Sequence, residues 1–437
     1  MKVRKHLSAN GLFRQVRSGF KKVTDHRIGD VEIAVVDALM SAFAMFSLKD
    51  PSLLAFDDRR EKENGNLKRI YYMERIPCDT QMRAILDDVE PNEIKASFND
   101  IFRQAQRGKV LEKFVFMDGH YLLSVDGTEH FFSRKIHCDS CLERVNHKTG
   151  EVSYHHQMLG AAIVHPNQKA VIPIAPEPII KQDGESKNDC ERNAAKRFFA
   201  QLRKEHPHLP LIVTQDSLSP NAPNIRTLGE HNLRYILRVK EGDHAFLFEK
   251  VAEAHRDGRT TQVEYHGAGM KHRFRFLNQV SLNKSNQDLL VNFIEYWEIK
   301  DGETSKHFTW VTDFTVTKDN VFQLVRGGRA YWKIENETFN TLKNQGYHFD
   351  HNFGHGKNHL SVVFALLMML AFLVDQIQQL ACRLFQAVWE NQGSKKRLWE
   401  HTRSLFFSLP FESMEDIYRA LLYGYKVKGM VILGDSY

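Results

Sequence analysis

The chain has 437 residues, 42% of them hydrophobic, which suffices for a sizeable core spread over two or three domains and excludes a disordered protein. The formal charge of +6 excludes little, but its distribution is informative: Lys2, Arg4, Lys5, Arg14, Arg17, Lys21 and Lys22 all precede the first acid, Asp25, an arm suited to a polyanion. Five cysteines, an odd number without a secretory signal, exclude a disulfide framework and point to a reducing compartment.

Residues 1–109 read as an all-helical domain. Ile33, Val36, Leu39, Met40 and Phe43 fall at helical spacing, Asp79 or Thr80 gives a capping signal before Met82, Ile85 and Leu86, and Ile94, Phe98, Ile101 and Phe102 continue the pattern. With its basic leader, this domain suits DNA. From Val110 the pattern turns to strands: Phe114–Met117, Tyr121–Val125, Glu129–Ile136, Gly150–Val164 and Ala170–Ile174. An amphipathic helix over Cys190–Leu202 then leads into the strand that reaches Asp216. Residues 110–216 are therefore the first part of an α/β core with mixed strand directions.

Residues 217–328 hold strands at Leu233–Val239, Phe274–Leu277, Leu289–Ile299 and His307–Thr312, a β-rich insertion. Residues 329–390 are the helical remainder of the core, and 391–437 a C-terminal helical tail. The apolar run Leu360–Val374 stops at Asp375, short of the ~20 residues of a membrane span, and reads as a buried core helix. No membrane partner is expected.

Two buried strands thus finish on carboxylates. Tyr121–Val125 runs into Asp126-Gly127, and Leu209–Gln215 into Asp216, whose following segment cannot begin a helix before Pro223. A third acid lies where Trp332, Glu335 and Phe339 recur at helical spacing, as do Lys333 with Glu337 and Phe339 with Leu342. Converging carboxylates raise one another's pKa, and a divalent ion removes that penalty; oxygen-only ligands favour Mg2+ or Mn2+. Two such ions about 3.5–4 Å apart serve phosphoryl transfer. Glu337 rivals Glu335 on the same helix. Asp118 reads as a hairpin turn, and the cluster Asp183, Glu185, Asp189 and Glu191 as a solvated face or helix N-terminal charges without a catalytic role.

Cys138-Asp-Ser-Cys141 has His137 beside it and His147, His155 and His156 downstream. A Cys-x2-Cys with later histidines can build a structural zinc site, but without a second such pair Cys138 and Cys141 read first as two reduced thiols in a hairpin. The histidines of His351–His359 read as a polar turn between helices.

The ordered set Val125-Asp126-Gly-Thr, Thr214-Gln-Asp216, a β-rich insertion and Tyr331-Trp-Lys-Ile-Glu335-Asn-Glu337, followed by Phe339-Asn-Thr-Leu-Lys343, resembles the DDE transposases of bacterial insertion sequences. The likeness is to their cut-and-paste group, which carries a β-strand insertion in an RNase-H-like catalytic domain. It covers about residues 110–385, and Asp79-Thr-Gln-Met-Arg83 with Leu86-Asp87 fits the same group. The resemblance implies a mixed sheet flanked by helices and a catalytic, metal-binding triad of Asp126, Asp216 and Glu335 with two Mg2+ or Mn2+ ions. It further implies double-stranded DNA as substrate, both element ends and target, a homodimer on DNA, and a cytoplasmic, nucleoid-associated bacterial protein. The group's glutamate usually lies in Tyr-x2-Arg-x3-Glu-x6-Lys. Here Tyr331 takes the arginine's place and Lys343 follows Glu335 one residue late, so Arg329, Lys333 and Lys343 are candidate DNA contacts. A DNA-binding regulator with a dead site and a nuclease that cleaves without joining are the alternative expectations.

Overall fold

The computed structural model describes residues 5–29, 31–62, 65–181, 188–267 and 269–426. Its N-terminal region is helical throughout: α1 (Ala9–Phe20), α2 (Val35–Ser47), α3 (Leu53–Lys62), α4 (Gly65–Ile70), α5 (Asp79–Asp87) and α6 (Pro91–Arg107). Ser8 caps α1 by accepting from the Gly11 amide at 3.2 Å, and Leu12, Phe13, Val16 and Phe20 form the buried face that helical spacing dictates. Much of the basic leader is therefore built into the fold. Arg17 forms a 2.8 Å ion pair with buried Asp37 of α2, and Lys22 bonds Asp100 of α6 at 3.3 Å. Lys2 and Arg4 lie outside the described residues.

The strand expected at Phe114–Met117 does not form. One bridge, Val115 to Tyr121, closes a tight turn through Asp118 (φ 49°) and Gly119 (φ 74°), whose left-handed backbone ends any extended run. The sheet begins with β1 (Tyr121–Ser133), β2 (Leu142–Val145), β3 (Val152–Val164) and β4 (Ile172–Ile179), an antiparallel group in which β3 lies between β1 and β4. The helix α7 (Glu191–Glu205) leads to β5 (Leu211–Gln215), and α8 (Ala222–Glu230) to β6 (Arg234–Arg238). Both crossovers are helical because β5 runs parallel to β1 and β6 parallel to β5, and a parallel neighbour needs a long return. The order β4-β3-β1-β5-β6, three antiparallel strands and then two parallel ones, is the mixed sheet of an RNase-H-like core.

The strand read at Leu233–Val239 thus belongs to this core, and the insertion begins after it. It consists of α9 (Ala245–Arg256) and four antiparallel strands, β7 (Thr261–Gly267), β8 (Met270–Asn283), β9 (Asn286–Lys300) and β10 (Glu303–Thr312). Because β10 pairs with β6, the insertion continues the core sheet to ten strands and covers an edge that would otherwise be open.

After the insertion come α10 (Val321–Arg329), a π-helical turn over Ile334–Phe339, α11 (Asn340–Asn344) and α12 (Leu360–Ala381), followed by α13 (Arg383–Gln392), α14 (Lys395–Ser408) and α15 (Met414–Tyr423). By length and composition α12 could cross a membrane, but its apolar stretch is wholly buried, packed on α2, α5, α6 and β4. It continues past Asp375 because that carboxylate is matched inside the core by the Lys49 ammonium and, at 2.6 Å, by the Tyr347 hydroxyl. The last helices return to the first ones: Asn66 donates to the Leu409 carbonyl at 2.7 Å, and Arg403 to the Leu48 carbonyl at 3.0 Å. A single apolar core runs from the helical body into the sheet.

Candidate catalytic and metal-binding centre

The two aspartates meet because of strand register. In the parallel ladder Tyr121 faces Leu211 and Ser124 faces Thr214, so the same offset carried two residues on sets Asp126 beside Asp216. Ser124 and Thr214, both buried, are hydrogen-bonded at 2.9 Å one pleat below, tying the strands together beneath the carboxylates. Contrary to the expectation from Asp126-Gly127, β1 does not end there. It pairs with β3 as far as Ser133, whereas β5 stops at Gln215, so Asp126 is enclosed on the β3 side and open on the β5 side. Asp216 closes the next turn, accepting from the Leu218 amide at 3.0 Å and the Ser219 hydroxyl at 3.2 Å.

A third carboxylate, which the sequence reading set aside, joins them. Glu191 opens α7, and its carboxylate occupies the space where a side chain at position 127 would project: a Cβ on Gly127 would fall 2.2 Å from its Oε1. Gly127 is thus required for a close approach, independently of any turn. Of the other acids in that cluster, Asp189 is committed to Arg197 at 2.6 Å, and Asp183 and Glu185 lie outside the described residues. Nothing in the sequence separates Glu191 from acids that merely favour a helix N-terminus; the small residue after Asp126 was the one available hint. Asp126, Glu191 and Asp216 line a cleft of about 600 Å³ with Arg192, Lys196 and Asn224.

Glu335, on the exposed side of the π-helical turn, acts on Tyr331 through its charge. The Tyr331 hydroxyl hydrogen-bonds the Asp126 carboxylate, and burial first, then the charges of Asp126, Asp216 and Glu335, drive its own ionisation far upward. It is therefore a neutral donor. The charge of Glu337 acts instead on the Lys333 and Lys395 ammoniums. The two glutamates, two residues apart in a wide π-helical turn, serve different surroundings. The turn over Ile334–Phe339 is widened by i to i+5 hydrogen bonding, which accommodates one residue more than an α-helical turn. The turn is held to the sheet by Phe339, whose ring covers Gly160, the residue opposite Asp126; a Cβ at 160 would lie 2.6 Å from it.

Burial raises the Asp126 carboxyl most, the Tyr331 hydrogen bond lowers it, and the negative Asp216 and Glu191 raise it again, to about 7. Glu191 keeps contact with solvent, yet its carboxyl is also raised, by desolvation first and Asp216 second. A cation among these oxygens would lower all of them together, so an oxygen-ligating divalent ion such as Mg2+ or Mn2+ fits this donor set.

Of the three basic residues singled out for DNA, Arg329 and Lys333 line one groove and Lys343 does not. Arg329 bonds Glu298 of β9 at 2.9 Å, fastening α10 to the insertion, and Lys343 pairs with Asp350 at 3.2 Å. Lys333 is buried apart from the side it turns to a groove that it shares with Arg326, Arg329 and Trp332, a tryptophan with 46% of its surface exposed.

Cys138, Cys141 and His156 also converge, with His355 from the polar turn before α12 as a fourth member. His137 instead lies against Tyr154, and His155 bonds Glu129 at 2.8 Å.

No family model matches the chain, and no curated protein matches it. Among solved structures, a piggyBac transposase synaptic complex with hairpin DNA is similar at 11% identity and a TM-score of 0.43, covering 97% of this chain and 83% of that one. At that level the likeness adds no weight to any reading of the site.

Proposed function

We propose that the chain is a DNA transposase of the DDE type, cutting and joining DNA strands with divalent metal held by Asp126, Asp216 and Glu335, and with Glu191 as a fourth carboxylate of the same centre. The observation that carries this reading is the shared register of Asp126 and Asp216 at the point where β5 ends; Glu335 supports it through its charge, which acts on Tyr331 together with those of the two aspartates. Asp126, Asp216 and Glu191 form no ion pair among the described residues, and acids clustered this closely are costly to fold, so a site for hard metal ions is the simplest use that offsets the cost. When bound, Mg2+ or Mn2+ would activate a hydroxyl nucleophile and stabilise the leaving oxygen in phosphoryl transfer.

The chain's own groups supply the rest. Asp126, whose carboxyl is raised to about 7, would release a proton on taking its place as a metal ligand. Tyr331, in the place of the expected arginine, donates to Asp126 and fixes its rotamer; as a neutral group it cannot grip phosphate by charge. That task falls to Arg326, Lys333 and the basic residues of the cleft, Arg192 and Lys196. Binding should then weaken steeply with salt. Pairing of two element ends calls for a dimer on DNA, and such an enzyme works at the nucleoid.

The test is cleavage of a labelled duplex carrying the DNA that flanks the gene, in Mg2+ or Mn2+, with wild type beside Asp126→Ala, Asp216→Ala and Glu335→Ala. Cleavage and joining by the wild type alone, with DNA binding retained in all four, is the expected result. Cleavage without joined products would make the protein a nuclease, and specific binding without cleavage a regulator derived from an enzyme.

A further inference from the structure

We infer that Cys138, Cys141, His156 and His355 form a structural Cys2His2 zinc site that fastens the segment following the Glu335 helix to the sheet that carries Asp126.

Four donor-to-donor distances match those of a tetrahedral site. The two sulfurs are 3.8 Å apart. The His156 Nε2 lies 3.5 Å from the Cys138 Sγ and 3.4 Å from that of Cys141, and the His355 Nε2 lies 3.4 Å from the Cys141 Sγ. All four donor atoms fall within 4.8 Å of one another. Tetrahedral zinc with Zn–S of about 2.3 Å and Zn–N of about 2.05 Å requires sulfurs roughly 3.8 Å apart and sulfur-to-nitrogen separations of roughly 3.6 Å. A disulfide would need its sulfurs at about 2.05 Å, so the thiols are not placed for one.

The surroundings favour a closed site. Cys141, His156 and His355 are buried, and Phe131 lies over the His355 ring with centroids 4.2 Å apart. Among the described residues neither Nδ1 of the two histidines has a hydrogen-bond partner, and it is the Nε2 atoms that face the sulfurs. Two thiolates and two imidazoles neutralise a dication and leave no open position, which suits structural zinc over the oxygen-seeking ions of the carboxylate centre.

The position in the chain gives the site its role. Cys138 and Cys141 close the turn between β1 and β2, the Cys141 amide donating to the Cys138 carbonyl at 3.1 Å, and His156 stands on β3 opposite Phe131 of β1. His355 lies between α11 and α12. The far side of its loop is already anchored: Asp87 of the helical body accepts from the amides of Lys357 at 2.8 Å and Leu360 at 3.0 Å, capping α12. Zinc would supply the second anchor, on the sheet, so that the helix bearing Glu335 is held at its C-terminal side as well as by Phe339. Through that constraint the zinc ligands are positioning residues for the third acid.

The experiment is metal analysis of the full chain, expressed without a metal-binding tag and purified in buffer free of chelator. The expected result is one zinc per chain. His355→Ala and Cys141→Ser should retain less than about a tenth of it, and His355→Cys, which restores a fourth ligand, should recover it. Replacement by Co2+ should give the absorption of a tetrahedral dithiolate site. Folded wild type without zinc and without a cobalt spectrum overturns the inference, as does full zinc content in both His355→Ala and Cys141→Ser. None of these readouts depends on DNA cleavage, so the zinc site can fail while the transposase reading stands, and the reverse.

Discussion

Asp126→Asn tests the electrostatics of the centre without requiring activity. The amide keeps the shape of the carboxylate and can still accept from Tyr331, but it carries no charge for burial, Asp216 and Glu191 to oppose. The Asp126 carboxyl rises from 3.8 to about 7 on folding, so the sign is that of a group whose ionised form the fold disfavours. Its cost is absent below the unfolded value, grows as pH rises between the two, and is complete above 7. Three units at ~1.36 kcal/mol each give at most about 4 kcal/mol at pH 8, falling below about 1 kcal/mol at pH 4. A chain of 437 residues unfolds with an entropy of about 0.9 kcal/mol/K, so the substitution should raise the melting temperature by up to ~4 °C at pH 8 and hardly at all at pH 4. Scanning calorimetry of both proteins in buffer without divalent metal measures the gap. Mg2+ should then raise the melting temperature of the wild type more than that of Asp126→Asn. Equal melting at pH 8, or a gap that does not shrink on acidification, would refute a strained carboxylate at this position.

The two glutamates should separate in the cleavage assay: Glu335→Gln is expected to lose at least about 100-fold in rate, whereas Glu337→Gln, whose charge acts on Lys333 and Lys395, should stay within a few-fold. Tyr331→Phe removes the hydrogen bond that lowers Asp126, so the acidic limb of the rate-against-pH profile should move to higher pH, with more Mg2+ needed for half-saturation at pH 7. Gly160→Ala drives a methyl into the Phe339 ring and Gly127→Ala into the Glu191 carboxylate; both should lower turnover about ten-fold or more while circular dichroism shows the fold retained.

What was legible in the sequence followed from local pattern. Alternating and β-branched runs announced β1 and β5, and the aspartates at 126 and 216 stood out because each interrupts such a run. Where register brings distant residues together, pattern was silent. Nothing local says that Tyr121 pairs with Leu211, which is the fact that unites the two aspartates. Glu191 was hidden among acids that serve a helix terminus equally well, and His355 lies 214 residues from Cys141, which it meets. The strand at Arg234–Arg238 was grouped with the insertion because composition does not distinguish a core strand from the inserted ones; only its parallel pairing does. The helices at the two ends of the chain likewise read as separate segments, because an amphipathic face reveals that a helix is buried and not which helix covers it.

The carboxylate centre and the Cys-His cluster share one structural cause. The β5 strand ends at Gln215, while β1 and β3 remain paired to Ser133 and Tyr154, so the β1–β3 ladder projects beyond its parallel neighbour. At the root of that projection the loss of β5 leaves one side of Asp126 open to the cleft, and Gly127 and Gly160 leave room for Glu191 and Phe339. Further out, the same ladder pairs Phe131 with His156 and ends in the turn that carries Cys138 and Cys141. On its far side β3 is backed by β2 and β4, so the edge that the projection leaves open is that of β1. The loop carrying His355 lies against its outer part, and the turn carrying Glu335 and Phe339 against its root, so one segment of chain, residues 334–355, braces the ladder at both ends. A change that loosens the cysteine end should therefore be felt at Glu335, because that segment bears on both.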